Sequence, residues 1–315
     1  MNESNKTTMA IASLFVGVVA ISFGSIFIRW SESELSPNAT IFNRFWLGSV
    51  VFGLSQAYKV IRQRLSGDKP VPQHSYTCQE LLLLLGAGTF FAATLALVAW
   101  SLTQTSVAIS TILHNLTPIF TSLGAWLLFG QGFNRQFLIG MVVAIGGAIA
   151  IEIEQIQQIA TGELTGGIAA IVSAVFMGAY LLVVEQLRTK FDPITIQLWV
   201  CAIATLSILP MLVFAQERVF PSSVNGWLFV IFLALVCQVL GQGLLTYSVA
   251  GLSSVVVSLV HLLEPVFSSI LAWAIFWEKL SFSNWVGFAL VLIGLYLAVS
   301  SQAAVRLPQN RLESG

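Results

Sequence analysis

Charge is what this sequence has least of. Asp, Glu, Lys and Arg make up 9% of its 315 residues, against roughly 25% in a typical soluble domain. A water-soluble globule with an ordinary polar shell is therefore excluded. The 14 basic and 14 acidic residues cancel, which leaves no net field to recruit nucleic acid or an acidic partner. Cysteine is also sparse. Cys78, Cys201 and Cys237 are odd in number, widely spaced and free of any CxxC or Cys/His grouping, so they read as apolar filler rather than disulfide or metal ligands. Reactive signatures are missing as well: there is no HExxH, no GxSxG and no Walker loop. We expect no catalytic residue, no cofactor and no direct drive by ATP. The first apolar run, Met9 to Ile28, lacks a cleavage pattern of the secretory kind and is expected to stay as a spanning helix.

What is present is apolar. Hydrophobic residues make up 57% of the chain, and a spanning helix needs about 20 of them in a row. Polar or turn-forming breaks divide the sequence into ten such runs, at 9–30, 38–58, 80–101, 105–129, 135–153, 164–186, 193–215, 224–247, 251–277 and 282–301. The longest connection, Lys59 to Gln79, is too short for a separate soluble domain. Short cytoplasmic loops retain Lys and Arg. With the N-terminus inside, that side holds Lys6, Lys59, Arg62, Arg64, Lys69, Arg135, Arg188, Lys190, Arg306 and Arg311, and the outside holds Arg29, Arg218 and Lys279. Both termini are therefore expected in the cytoplasm of a cell (inner) membrane protein, with residues 302–315 as a cytoplasmic tail.

Two pentapeptides organise the chain. Residues 114–118 read HNLTP and residues 261–265 read HLLEP, 147 residues apart. Sliding the sequence on itself by that interval, without a gap, also pairs Ser106 with Ser253, Phe120 with Phe267, Trp126 with Trp273, Phe129 with Phe276, Gly140 with Gly287 and Gly147 with Gly294. Each half then holds five runs, an odd number, so the second half must cross the membrane upside down. The expected fold class is an all-α integral membrane protein of ten transmembrane helices in two inverted five-helix repeats, 9–153 and 164–301. Substrate sites in such proteins lie near the midplane between the halves.

The stretch from Tyr247 to Leu297, with its acidic turn at Glu278, together with the first-half copy that ends at Gln131, "SFGSIF" at 22–27, Arg44 and "MGAYLL" at 177–182, resembles the drug/metabolite transporter superfamily, in particular its EamA-type members. The likeness covers about residues 10 to 301. It implies an exporter of amino acids and other small metabolites, with a central cavity between the repeats.

Several residues are candidates for the substrate pathway. Arg44 falls six residues into the second run, about 9 Å deep at 1.5 Å per residue, where it either attracts an anionic group, or snorkels to the interface or tethers one helix to another. Pro118 and Pro265 each delete the N–H that would bond the carbonyl four residues back, which belongs to His114 and to His261. Lipid cannot satisfy a freed carbonyl, so both helix breaks should face protein or water. Glu264 shares a helical face with His261 at the i, i+3 spacing. That pair could take up and release a proton, or Glu264 could serve the backbone opened by Pro265. Asn115, Tyr180, Gln238 and Gln242 are further polar positions that would face the same space. HxxE on one helix supplies too few ligands for a metal site.

The leading reading is a secondary transporter that exports small metabolites by alternating access. Its partners are a small-molecule substrate, a proton and the lipid bilayer. The alternatives are an exchanger of phosphorylated metabolites or nucleotide sugars, which would want several intramembrane cations, then a passive channel and a membrane enzyme.

Overall fold

The computed structural model describes residues 3–65, 76–152 and 164–301. Lys69, His74, Glu154, Glu163, Arg306, Arg311 and the tail 302–315 lie outside the described residues. Within them the chain forms helices and no strand. The first half comprises α1 (Glu3–Ser22), α2 (Gly24–Ser31), α3 (Pro37–Leu65), α4 (Cys78–Gln104), α5 (Val107–His114), α6 (Thr117–Phe129) and α7 (Arg135–Glu152). The second comprises α8 (Leu164–Leu187), α9 (Pro193–Ala215), α10 (Val224–Phe232), a π-helical segment (Leu233–Gln242), α11 (Gly243–Ser248), α12 (Ser254–Val260), a 3₁₀ turn (His261–Leu263), α13 (Glu264–Phe276) and α14 (Phe282–Val299).

Every run expected from the sequence is helical, four of them interrupted. The first is α1–α2, the fourth α5–α6, the eighth α10 through α11, and the ninth α12 through α13. Among the described residues, nine of these runs are long and apolar enough to cross a membrane. The tenth, α3, has the length, 29 residues, but carries Asn38, Asn43, Arg44 and a basic inner end. The count of ten is thus not reproduced by apolarity alone.

The 147-residue register persists in the backbone. Ser106 and Ser253 are both N-caps in extended backbone, and their hydroxyls accept the N–H groups of Ile109 and Val256, as capping chemistry requires. Gly130 and Trp277, also in register, end α6 and α13 in the left-handed region with φ of 64° and 57°. Trp126 and Trp273 are similarly exposed, at 56% and 52%.

Packing follows the same plan. α7 lies on α14 and α3 on α9, so each of these helices meets its own counterpart. α4 lies on α8, and reciprocally α1 lies on the π segment and α11. At the α7–α14 crossing a Cβ placed on Gly140 would fall 2.6 Å from the Gly294 carbonyl oxygen, and one on Gly147 would fall 2.8 Å from that of Gly287. Contact thus joins 140 to 294 and 147 to 287, while register joins 140 to 287 and 147 to 294. Exchanged partners of this kind mark a two-fold relation, because the same surface appears on both sides of the contact. Small residues let the two backbones touch. Large apolar side chains such as Leu128, Phe214 and Tyr296 cover the outward faces.

Candidate transport site

The two proline breaks resolve their freed carbonyls differently. In the first half the Thr117 hydroxyl donates to the His114 carbonyl at 2.7 Å. In the second half the backbone tightens to a 3₁₀ turn, and the Glu264 N–H donates to the His261 carbonyl. Thr117 and Glu264 occupy equivalent positions in the register, so the residue just before each proline repairs the break. One uses its side chain and the other its backbone. The Glu264 carboxylate is thereby released from backbone duty, and its Oε2 lies 2.6 Å from His261 Nε2. The i, i+3 spacing brings acid and imidazole together as expected from the sequence.

These residues form the floor of a cavity. A vestibule of about 490 Å³ runs down to His114, Asn115 and Glu264, and α2, α5, α13 and the start of α14 contribute its walls. It opens at the end of the bundle that carries Arg29, Glu278 and Lys279. Near its mouth Arg29 pairs with Glu278 at 2.6 Å and stacks 4.2 Å from the centre of the Phe276 ring. Glu152 and Lys279 also line it, together with neutral donors such as Ser110 and Asn284. Beneath the floor lies a second chamber of about 30 Å³, reached past the same three residues and closed on its far side by Met177, Leu181, Ser258 and Leu262. The half of the bundle opposite the vestibule is closed: α6 packs on α12, and Glu185 Oε2 accepts the Ser254 N–H at 2.8 Å at the start of α12.

The remaining candidates lie elsewhere. Arg44 is 8% exposed and donates from Nε to Gln238 Oε1 at 2.9 Å, so it neither snorkels to the interface nor lines the vestibule. Gln238 Nε2 donates to Gln197 Oε1 at 3.1 Å, and Gln197 Nε2 donates to the Tyr180 hydroxyl at 3.0 Å and to Thr246 Oγ1 at 2.6 Å. This buried network ties α3, α8, α9, α11 and the π segment together. Gln242, in the same π segment, keeps its Oε1 without a partner among the described residues. The structure thus divides the sequence candidates into a cavity group, with His114, Asn115 and Glu264 on the vestibule floor and His261 in the chamber beneath, and a buried group of Arg44, Tyr180, Gln238 and Gln242.

Sequence reasoning missed Thr117, Ser173, whose Oγ lies 2.8 Å from His114 Nδ1, and the vestibule position of Glu152. The 147-residue register held a signal for Thr117, because it faces Glu264 there. Ser173 carries no local signal and is placed by the packing of α5 on α8. Among the described residues no group of three His, Cys, Asp or Glu side chains is placed to hold a metal.

Two inverted helical halves with a polar vestibule between them are the build of a membrane transporter. The chain belongs to the EamA-like transporter family, which matches residues 8–153 and again residues 164–300. It is 24% identical over 303 residues to an uncharacterized transporter of Archaeoglobus fulgidus, covering 95% of this chain and 99% of that one. It is 22% identical over 223 residues to the pseudopaline exporter CntI of Pseudomonas aeruginosa, covering 70% of this chain and 76% of that one. A crystal structure with 14% sequence identity superposes with a TM-score of 0.74 over 94% of this chain and 98% of its own, which shows the fold. The protein is an integral membrane transporter of small molecules.

Proposed function

We propose that this transporter exports small amine-bearing metabolites, amino acids among them, by alternating access between repeats 9–153 and 164–301. The observation that carries the reading is the Glu264 carboxylate at the floor of an open vestibule, paired with His261 in the chamber beneath and set on a broken helix. The breaks at His114 and His261 act as hinges. In the present form α5 and α13 stand apart around the vestibule, while α6 and α12 are packed together. The exchanged packing of the two halves supports an opposite form on the same plan: α5 and α13 close, and α6 and α12 separate as the Glu185 contact to α12 is released. In one form Glu264 takes a proton from outside, and in the other it gives that proton up inside.

The charge layout supports the substrate class. Arg29 is neutralised by Glu278 at the mouth, which leaves the Glu152 and Glu264 carboxylates to meet an ammonium group and Lys279 to meet a carboxylate. An anionic substrate such as a phosphorylated metabolite is disfavoured, because Arg44 is engaged by Gln238 away from the vestibule. That a relative is named an exporter supports the direction. We place the protein in the cell membrane with both termini and the tail 302–315 in the cytoplasm; reporter fusions that put the Lys59–Gln79 loop outside would reverse this. Reconstituted vesicles loaded in turn with single amino acids and diamines test the function. Saturable efflux with counterflow is expected for at least one, and unsaturable conductance would make the protein a pore.

A further inference from the structure

The chamber beneath the vestibule holds polar atoms that the protein does not satisfy. Asn115 Nδ2 and His261 Nδ1 are buried and have no partner among the described residues, and both residues line it. Buried polar groups in folded proteins are almost always hydrogen-bonded, to ordered water where protein offers nothing. A cavity needs about 10–15 Å³ of such volume per water molecule, and this one offers about 30 Å³. It is polar and roomy enough for a water pair.

His114 faces the same chamber with a fixed ring. Its Nδ1 lies 2.8 Å from Ser173 Oγ, and Ser173 in turn donates to the Ala170 carbonyl at 2.6 Å. A hydroxyl has a single proton to give. Ser173 therefore accepts from His114, Nδ1 carries the hydrogen, and Nε2 of the neutral ring is the free acceptor. On the other side His261 is held by its Nε2 against Glu264, which leaves its Nδ1 unpartnered in the chamber. Each histidine thus has one nitrogen tied to protein and one nitrogen free.

We propose that this chamber is a water-bridged proton site in which His114 receives the proton that Glu264 collects from the vestibule. The proposal rests on the proton-responsive reading of Glu264 and extends it inward. The Glu264 O–H bond breaks as the His261 Nε2–H bond forms. His261 then releases its Nδ1 proton to the bridging water, and the water passes a proton to His114 Nε2. The products are the Glu264 carboxylate, a neutral His261 with the opposite tautomer and a His114 imidazolium. Nothing is left over. The charged groups that bear on His114 are His261 on the 3₁₀ turn and Glu264 on α13, with Glu152 on α7 across the vestibule. The chamber is walled by α6 through Thr117 and Pro118 and by α12 through Ser258. These are the helices that part in the inward-facing form, so a proton held there has already crossed the hinge.

The chain contains three histidines, which suits ¹⁵N-histidine NMR of the full protein in lipid nanodiscs. Signals are assigned by His74→Gln, His114→Gln and His261→Gln. Three results are expected: neutral His114 in the Nδ1–H form, magnetisation exchange between water and both chamber rings, and a His114 titration midpoint that moves by about one pH unit in His261→Gln, as for coupled sites. Ser258→Leu fills the chamber and should abolish the water exchange. If that variant folds poorly, the His261→Gln titration decides alone. A neutral His114 carrying its hydrogen on Nε2, rings without contact to water, or an unmoved midpoint would each overturn the proposal. Transport assays separate the two readings. If Glu264→Gln leaves the pH profile of transport intact while the rings remain coupled, the role of Glu264 falls, whereas a changed profile with uncoupled rings removes the chamber alone.

Discussion

Replacing Gly294 with alanine should open the seam between the two halves. A Cβ on Gly294 would meet the Ala144 backbone nitrogen and stand 2.6 Å from the Gly140 carbonyl oxygen. Ordinary carbon contacts sit near 3.5–4.0 Å, so α7 and α14 must separate by roughly 1 Å, and a radial gap of that size forfeits up to about half of each contact's attraction. The obstacle on both sides is helical backbone, which cannot rotate away. Overpacking of this kind costs about 1–3 kcal/mol. Gly140→Ala meets the same crossing, where its Cβ would lie 2.6 Å from the Gly294 carbonyl. The double variant should therefore cost less than the sum of the two, because a seam already opened accommodates the second methyl. Gly146 supplies the control: it sits beside Gly147 on α7 yet has no atom within 4 Å of its added Cβ, so Gly146→Ala should be neutral or stabilising by up to about 1 kcal/mol through helix propensity. Thermal unfolding of the purified protein in detergent reads all four. Equal melting shifts for Gly146→Ala and Gly294→Ala, or strict additivity of the pair, would refute the backbone-contact argument.

Two further predictions concern hydrogen bonds. Thr117→Val keeps the shape but leaves the His114 carbonyl unsatisfied, which should cost about 1–3 kcal/mol, and much less in a Pro118→Ala background where a backbone N–H returns; equal costs in both backgrounds would contradict the repair role. Between α2 and α3, the Glu34 carboxylate accepts from the hydroxyl and N–H of Ser223 and then from those of Ser222, and these bonds hold its pKa below the ordinary 4.5. A lowered carboxylate pKa stabilises the fold above the unfolded value and loses that contribution as pH falls through the folded one. The melting temperature of wild type should therefore drop more steeply below about pH 4.5 than that of Glu34→Gln, and parallel curves would exclude the effect.

How much of this was legible in the sequence depends on what kind of information a residue carries. The helices were legible because apolar runs and breaks are local. The inversion was legible because His114, Pro118, Trp126 and Gly140 recur at one interval, and the structure reproduces that interval in its caps and in the exchanged glycine contacts. The Glu264–His261 pair was legible because i, i+3 neighbours on a helix must meet. For Arg44 the sequence left a pathway residue, an interfacial anchor and a helix tether side by side, and the choice among them is made by Gln238, 194 residues away. Tyr180 and Gln238 likewise read as pathway residues because polarity in an apolar run is visible, whereas the Gln197 partner that absorbs it depends on tertiary packing. Ser173 had no signal at all. A serine on a helix is ordinary until another helix brings a histidine to it.

The central claim is that Glu264 makes transport proton-responsive, and its most direct test is the pH profile of Glu264→Gln. The glutamine keeps the size of the side chain and an oxygen to face His261 Nε2, but it cannot titrate. In proteoliposomes loaded with an exported amino acid, wild-type efflux should rise and fall with external pH. The account predicts that Glu264→Gln inserts normally and carries out counterflow with an efflux rate that no longer depends on pH. A variant that keeps the wild-type rate and the wild-type pH profile would contradict it.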